Sequence, residues 1–267
     1  MEHGETLIVG LGEVGAALAE VIERRSPVLR HDIEPRAFDA PIGVMHVCIP
    51  FLSSAQFEAA VCGYVERFDP ALTIVNSTVL PGTTSALARR TGKPIAYSPV
   101  RGKHVRMAED LLRYVKFVAA AEDEVAARAQ RHFESAGMKS RRMNKPETLE
   151  LAKLAETTYF GVQIAFAQDL DRYARRLGAD YEEAIDFFEE VAFLPRTRYF
   201  PGVIGGHCVI PNIQLLRKLA GSPLLDAILE SNSLRARELQ PSGSAPRKRK
   251  SVRRESHKRD GDLLSHR

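Results

Sequence analysis

The chain has 267 residues, of which 44% are hydrophobic and 27% charged, a composition typical of a globular protein with a sizeable core. Its net charge of +4 comes from the stretch 241–267, where nine Lys/Arg against three Asp/Glu leave the preceding residues mildly acidic. No apolar run reaches membrane-spanning length, nothing resembles a signal peptide, and three cysteines argue against a disulfide framework. We therefore expect a cytoplasmic protein that does not contact a membrane.

The first predicted unit is a strand, a glycine turn and a helix. Three glycines fit G-x-G-x-x-G directly after the apolar strand 6–9. The first glycine permits a sharp turn, the second lets a pyrophosphate approach the backbone, and the third lets the helix pack close to the strand. The helix N-terminus offers free N–H groups to phosphates. A glycine turn in some other βα unit is the alternative. The cofactor-binding residues predicted here are Gly10, Gly12, Glu13, Val14 and Gly15.

An acidic residue closes the second predicted strand, 27–31. Asp32 lies 20 residues after Gly12. A carboxylate at this spacing can bind the adenosine ribose hydroxyls, which favours NAD over NADP. Arg30 and Arg36 lie nearby and leave NADP open as the alternative.

Apolar runs continue to alternate with helical patterns up to residue 143. This alternation predicts an α/β fold, a Rossmann-type doubly wound parallel sheet, which we assign to an NAD-binding domain at 1–144. The stretch 98–104 is interpreted as a loop. The further predicted strands are 42–49, 72–75, 94–97, 115–120 and 139–143, and the predicted helices are 56–67, 83–90 and 122–136.

A helical domain is predicted at 145–240. One long helical pattern runs from Pro146 to Leu177 and is apolar on more than one face, so it must be covered on more than one side. The first domain and a second subunit could cover it, which would make a homodimer, or the chain's own helices could. The tail 241–267 is basic, without aromatics and predicted to be disordered. Contact of this tail with nucleic acid is less favoured than a solvated tail. Further helices are predicted at 181–192, 213–219 and 223–239.

Four stretches in the expected order resemble the UDP-glucose/GDP-mannose 6-dehydrogenase family. They are the glycine fingerprint, STVLPGTT at 77–84, KLAET at 153–157 and GVIGGHC at 202–208. The resemblance implies an NAD domain, a long central helix used in dimerisation, and a cysteine nucleophile. Members of the family oxidise an alcohol carbon of a sugar nucleotide to a carboxylate in two NAD-dependent steps.

The resemblance implies that Cys208 is the nucleophile. It follows two glycines on a loop before a predicted helix, where backbone N–H groups can lower the pKa of the thiol. A thiolate can add to an aldehyde and form a thiohemiacetal, which can then lose a second hydride. A small buried thiol is the alternative, and it is how we interpret Cys48 and Cys62.

Two further catalytic roles are implied by the resemblance. Lys153 would stabilise a developing alkoxide or relay a proton through water. Thr78 would lie near the nicotinamide and a catalytic water. A solvated helix lysine and a strand-end hydroxyl that caps local backbone are the alternatives. The predicted catalytic residues are Cys208, Lys153 and Thr78, and the cofactor-binding residues include Asp32, Pro50 and Thr78.

Three positions depart from the family pattern. Val100 stands where the family has Glu, Thr157 where it has Asn, and Asn212 where it has Asp. A valine cannot transfer a proton, so these changes put the hydrolysis of a thioester in doubt. Positive charges beside the site suit an anionic substrate, although solvated loop charges are the alternative. The predicted substrate-binding residues are Arg101, Lys103, His104, Thr157 and Asn212.

Family members carry a third, C-terminal α/β domain that binds much of the sugar nucleotide, and this chain ends soon after its central helices. We therefore expect a smaller substrate, a wall supplied by another chain, or a lost activity. The interpretation that we adopt is an NAD-dependent oxidoreductase acting on an alcohol or aldehyde of sugar type. The substrate would be a small molecule, with sugar nucleotides among the candidates. An NAD-binding pseudoenzyme that acts as a scaffold is the alternative.

Overall fold

The computed structural model describes residues 4–34, 38–102, 104–194 and 198–240, with only the backbone of His104. The prediction of a disordered tail and those on Arg36 and Lys103 therefore lie outside the described residues.

The strands form one seven-stranded sheet. They are β1 (Glu5–Val9), β2 (Val28–His31), β3 (Ile42–Val47), β4 (Leu72–Val75), β5 (Ile95–Tyr97), β6 (Lys116–Ala120) and β7 (Ser140–Arg142). Their order in the sheet is β2-β1-β3-β4-β5-β6-β7. All neighbours are parallel except β5 and β6, which run antiparallel. The predicted α/β class is confirmed, and the expectation of a wholly parallel sheet is wrong at this one pair.

Helices cover both faces of the sheet. The helices of the described residues are α1 (Glu13–Glu23), α2 (Ser54–Phe68), α3 (Thr83–Thr91), α4 (Met107–Arg113), α5 (Asp123–Ser135), α6 (Pro146–Leu177), α7 (Tyr181–Glu189), α8 (Val209–Leu219) and α9 (Pro223–Glu238). One hydrophobic cluster joins the sheet to α1, α4 and α5, and a second joins it to α2, α3 and the first turn of α6. The sheet is therefore doubly wound, as its alternating pattern predicted.

The sequence analysis missed one helix and placed the start of another too late. Helix α4 was not expected, although Met107 and Leu111 are buried one turn apart against the sheet. Helix α8 begins at Val209, four residues before its predicted start. Pro211 explains the second error, because proline is tolerated in the first turn of a helix, where its missing N–H has no intrahelical partner to lose.

Helix α6 connects the sheet to the remaining helices. Its first turn belongs to the core of the sheet through Leu149, and its later turns pack on α8 and α9. Gly161 permits the close approach of α8, because a Cβ there would lie 2.8 Å from Cδ1 of Ile213. Among the described residues no helix is both long and apolar enough to cross a membrane.

Candidate active site

The glycine turn after β1 has the shape of a phosphate cradle. Gly10 has φ +88°, which favours glycine, and a Cβ on Gly15 would lie 1.8 Å from the carbonyl oxygen of Gly10. Both positions therefore require glycine. Gly12 is different, because a Cβ there would meet no atom within 4 Å. The open side of the turn thus lies at Gly12, where α1 begins without a side-chain cap and its first N–H groups have no intrahelical acceptor.

Asp32 lies beside this turn. Its Oδ2 accepts a hydrogen bond from the backbone N–H of Leu11 at 3.3 Å, which holds the carboxylate at the carboxyl edge of β1 and β2. Arg30 is turned to Glu23, with 2.6 Å between Nη2 and Oε2. That pairing engages one of the two guanidinium groups that left NADP open, and the other, that of Arg36, lies outside the described residues.

The remaining predicted cofactor residues follow β3 and β4 at the same edge. Ser77 Oγ donates to the carbonyl of Ile49 at 2.6 Å and joins the two loops. Pro50 in one loop is exposed and Thr78 in the other is half-buried. In the first turn of α1, Glu13 is exposed and Val14 packs against the core.

Sequence reasoning missed Glu150, which joins α6 to the start of α3. Its carboxylate is fully buried and accepts three hydrogen bonds, from Gly82 N at 2.6 Å, Thr84 N at 2.8 Å and Thr84 Oγ1 at 2.6 Å. Burial raises the pKa of Glu150, although the three donors favour the carboxylate. An acidic residue on the apolar stripe of a long helix is the one signal that could have identified it.

Lys153 follows Glu150 by one turn of α6. Its side chain is only 11% exposed, and Nζ lies 3.9 Å from Oε2 of Glu156. Burial lowers the pKa of Lys153, while the charges of Glu156 and of a Cys208 thiolate act in the opposite direction.

Helices α6 and α8 are joined beside this pair. Asn212 Nδ2 donates to Thr157 Oγ1 at 3.0 Å. Asn212 lies four residues after Cys208, and Thr157 four residues after Lys153, so this hydrogen bond lies one helical turn beyond the thiol and the amine. Cys208 itself is exposed at the N-terminal end of α8. The two polar residues that depart from the family pattern thus bind each other.

A cavity of about 300 Å³ opens beside Lys153. Arg101 forms part of its wall and lies 3.5 Å from Glu156, donates to the carbonyl of Val115 at 3.1 Å and stacks over Phe117. The cavity is lined by Pro99, Arg101, Phe117, Met143, Leu149, Ala152, Lys153 and Glu156.

Val100 does not face this cavity. It is buried in the core cluster that also contains Met107. Val100 therefore supplies neither a carboxylate nor any other side-chain group to the site. A second cavity of about 350 Å³ adjoins the first across the pair of Arg101 and Glu156. The described residues contain no cluster of His, Cys, Asp or Glu able to hold a metal ion.

A doubly wound sheet with a glycine cradle, followed by a long helix that carries a buried lysine, defines a dehydrogenase type of fold. Residues 147–233 match the central domain of the UDP-glucose/GDP-mannose dehydrogenase family. This segment, which covers nearly all of α6 and runs into α9, is similar to the central domain of that family, and the resemblance seen in the sequence is confirmed.

Two named relatives also match part of this chain. The UDP-N-acetyl-D-mannosamine dehydrogenase of Pyrococcus horikoshii is 29% identical over 61% of this chain and 41% of its own length. The enzyme of that name from Methanocaldococcus jannaschii is 28% identical over 52% of this chain and 33% of its own length. The chain thus matches less than half of either relative.

Solved structures share the fold at low identity. The UDP-D-ManNAc dehydrogenase structure from P. horikoshii matches 87% of this chain and 68% of its own at a TM-score of 0.74 and 22% identity. The 3-hydroxyisobutyrate dehydrogenase of Mycobacterium tuberculosis matches 90% of this chain and 94% of its own at a TM-score of 0.69 and 15% identity. The architecture is therefore common to both kinds of dehydrogenase.

Proposed function

We propose that the chain is an NAD-dependent oxidoreductase that removes a hydride from an alcohol or aldehyde carbon of a sugar-type substrate. The observation that carries the proposal is the buried Lys153 at a cavity whose wall includes the turn after β5, on a helix that the bond between Thr157 and Asn212 joins to the helix begun by Cys208. Ligands of doubly wound sheets bind at this edge.

The described residues fit NAD. The cradle around Gly12 leaves room for a pyrophosphate, and Asp32 is held where it can accept the ribose hydroxyls. The pairing of Arg30 with Glu23 removes one candidate partner for a 2′-phosphate, which supports NAD rather than NADP. When bound, the nicotinamide ring supplies the hydride acceptor.

Lys153 would act on the oxygen of the substrate. Burial lowers its pKa, which increases the share of neutral amine able to take the alcohol proton as the hydride leaves. The resulting ammonium would then stabilise the carbonyl oxygen of the product. Cys208 would react in a second step, in which its sulfur adds to the aldehyde carbon to form a thiohemiacetal, and a second hydride passes to a second NAD and leaves a thioester on the cysteine.

The departures from the family pattern favour a reaction that stops early. Val100 offers no proton-transfer group, and the amide of Asn212 is bonded to Thr157 and does not ionise at ordinary pH. A thioester on Cys208 would therefore be hydrolysed slowly. Rapid release of NADH in proportion to enzyme sites, followed by little turnover, would support this view, and steady four-electron turnover would contradict it.

The first test follows NADH absorbance with UDP-N-acetylmannosamine, UDP-glucose, GDP-mannose and smaller alcohols. A small hydroxy acid is included because the fold also matches 3-hydroxyisobutyrate dehydrogenase. We expect NADH formation that is lost in Lys153→Met and stops at the aldehyde in Cys208→Ala. The control is Cys62→Ala, which changes a thiol on α2 and should react like wild type. Tight NAD binding without any reduction would favour the pseudoenzyme.

We also propose a homodimer formed through α6. Tyr159, Phe166 and Tyr173 are seven residues apart, share one face of the helix and are each more than half exposed, while α8 and α9 cover another face. Phe166→Glu should convert a dimer to a monomer in sedimentation analysis, whereas the same change at exposed Val105 should not. A wild-type monomer at micromolar concentration would refute the proposal.

A further inference from the structure

A lysine that the proposed chemistry does not use is buried under the candidate site. Lys116 opens β6 and is only 4% exposed. Its Nζ donates to the carbonyl oxygens of Ser98 at 2.7 Å and Pro99 at 2.9 Å and lies 3.4 Å from Oδ1 of Asn76. An ammonium has three N–H donors, and the three acceptors match them. Two of the acceptors belong to the turn that leads into Arg101 of the cavity wall.

The orientation of the Asn76 amide is fixed by its surroundings. Its Nδ2 lies 3.1 Å from the carbonyl oxygen of Ile74, which can only accept, and 3.1 Å from Nδ1 of His46. The amide nitrogen must therefore face both partners, and Oδ1 must face Lys116. It follows that Nδ1 of His46 accepts a hydrogen bond and carries no proton.

The same reasoning assigns the next link. With Nδ1 as an acceptor, neutral His46 carries its proton on Nε2, which lies 2.9 Å from Nε2 of His132. His132 must accept there and carry its own proton on Nδ1. The side chain of His46 is fully buried and that of His132 on α5 is half-buried. Hydrogen bonds of one polarity thus run from Lys116 through the protein toward the surface.

We propose that Lys116 is a positioning residue that fixes the turn Ser98–Arg101, and that Asn76, His46 and His132 hold it in the hydrogen-bond donor state. The importance of this turn for a substrate rests on the proposed function, since Pro99 and Arg101 line the cavity assigned to the substrate. The hydrogen-bond chain itself rests only on the distances among buried groups.

The charges around Lys116 make its donor state sensitive. The charges of Lys153 on α6 and Arg101 in the turn oppose the ammonium, Cys48 lies near it as a neutral thiol, and the ring of Phe133 lies 4.9 Å from Nζ. Burial, the largest effect, lowers the pKa of Lys116 to about 7. A fixed acceptor such as Oδ1 of Asn76 therefore matters, because it stabilises the charged form.

Protonation of His132 would oppose the charged lysine. A second proton on His132 would put an N–H of each ring into the same 2.9 Å gap. Relief requires reversal of the chain, after which the Asn76 amide would donate to Nζ, and only a neutral amine can accept that bond. Reversal would also bring Oδ1 against the carbonyl oxygen of Ile74. The hydrogen-bond chain therefore disfavours a charged Lys116 and a doubly protonated His132 at the same time.

The first test uses ¹⁵N-labelled protein without any ligand. Long-range ¹H–¹⁵N spectra slightly above neutral pH should show His46 protonated at Nε2 and His132 at Nδ1. A proton on Nδ1 of His46 would overturn the assigned polarity. Because no cofactor or substrate is present, this result is independent of the proposed function.

Variants test the effect on the turn. Lys116→Met should shift the backbone amides of Ser98 and of 100–102 and the Nε–H of Arg101, whereas Lys139→Met, which alters an exposed lysine next to β7, should not. His132→Phe removes an acceptor at a half-buried position and should shift both the Nε2–H of His46 and the Cε signal of Lys116. An unchanged Lys116 signal in His132→Phe would overturn the coupling, even if Lys116→Met does not fold.

The last readout separates the two proposals. With a substrate found in the NADH assay, Lys116→Met should raise KM by about tenfold or more through misplacement of the cavity wall and change the Kd of NAD less than about twofold. An unchanged KM together with shifted amides would overturn the positioning role. Absent NADH formation in wild type, with the tautomers as assigned, would instead refute the proposed function.

Discussion

Replacing Glu150 with Gln tests whether α6 is fastened to α3 by a buried carboxylate. A glutamine oxygen in place of Oε1 can keep both bonds from Thr84, whereas its NH₂ group must face the N–H of Gly82, now 2.6 Å from Oε2. One hydrogen bond to a charged acceptor is lost, and the half-buried N–H of Gly82 is left without that acceptor. Each effect amounts to roughly 1.5–3 kcal/mol, and relief of the buried charge offsets part of the sum. We expect a loss of about 3 kcal/mol.

Urea unfolding at neutral pH measures this loss, with Glu147→Gln as the matched control. Glu147 lies one turn earlier on α6 and accepts from the hydroxyl of Ser85, a bond that a glutamine oxygen can keep, so its cost should stay below about 1 kcal/mol. Equal unfolding midpoints for Glu150→Gln and wild type would refute the role of Glu150 in fastening α6 to α3.

The pH dependence of the same pair has a defined sign. Burial raises the pKa of Glu150 above its ordinary value, so the folded state binds its proton more tightly than the unfolded state does. Wild type should therefore lose stability relative to Glu150→Gln as the pH rises from the ordinary value toward the folded pKa. A stability of wild type that instead rose relative to that of Glu150→Gln over this interval would contradict the raised pKa of Glu150.

Three further predictions concern other parts of the chain. Gly15→Ala should abolish NAD binding in calorimetry, since its Cβ would lie 1.8 Å from a carbonyl oxygen, whereas exposed Gly63→Ala on α2 should bind normally and gain about 1 kcal/mol of stability. The Cε signal of Lys116 should titrate near pH 7. Between the folded pKa of about 7 and the ordinary value of 10.5, the folded state binds fewer protons than the unfolded state. The free energy of unfolding of wild type should therefore rise relative to that of Lys116→Met by about 1.4 kcal/mol per pH unit over this interval. Iodoacetamide should alkylate exposed Cys208 before Cys48, whose pKa burial raises to about 12.

Local patterns predicted the parts of the fold that local chemistry determines. The glycines after β1 are required by a turn and a helix contact within six residues of each other, so their spacing alone is informative. The direction of β6 relative to β5 is different, because an apolar strand of five residues has the same pattern in either direction.

The candidate site was harder to predict because its contacts are distant in the chain. Glu150 binds Thr84, 66 residues earlier, and Lys116 binds Asn76, 40 residues earlier. Each is a single charged residue within an apolar pattern, and neither pattern indicates which distant residue the charged group binds. The resemblance to a family drew attention to Lys153 and Cys208, but it could not predict that Thr157 and Asn212 bind each other.

Two buried charges of opposite sign shape the loops at the same edge of the sheet. A chain that leaves a strand and enters a helix exposes N–H groups, and Glu150 accepts two of them at the start of α3. A chain that turns after a strand exposes carbonyl oxygens, and Lys116 donates to two of them after β5. Because Lys153 lies one turn of α6 beyond Glu150, the contact that holds α6 on the sheet also fixes the lysine of the proposed site. A change that loosens either loop should therefore move the wall of the cavity before it unfolds the sheet.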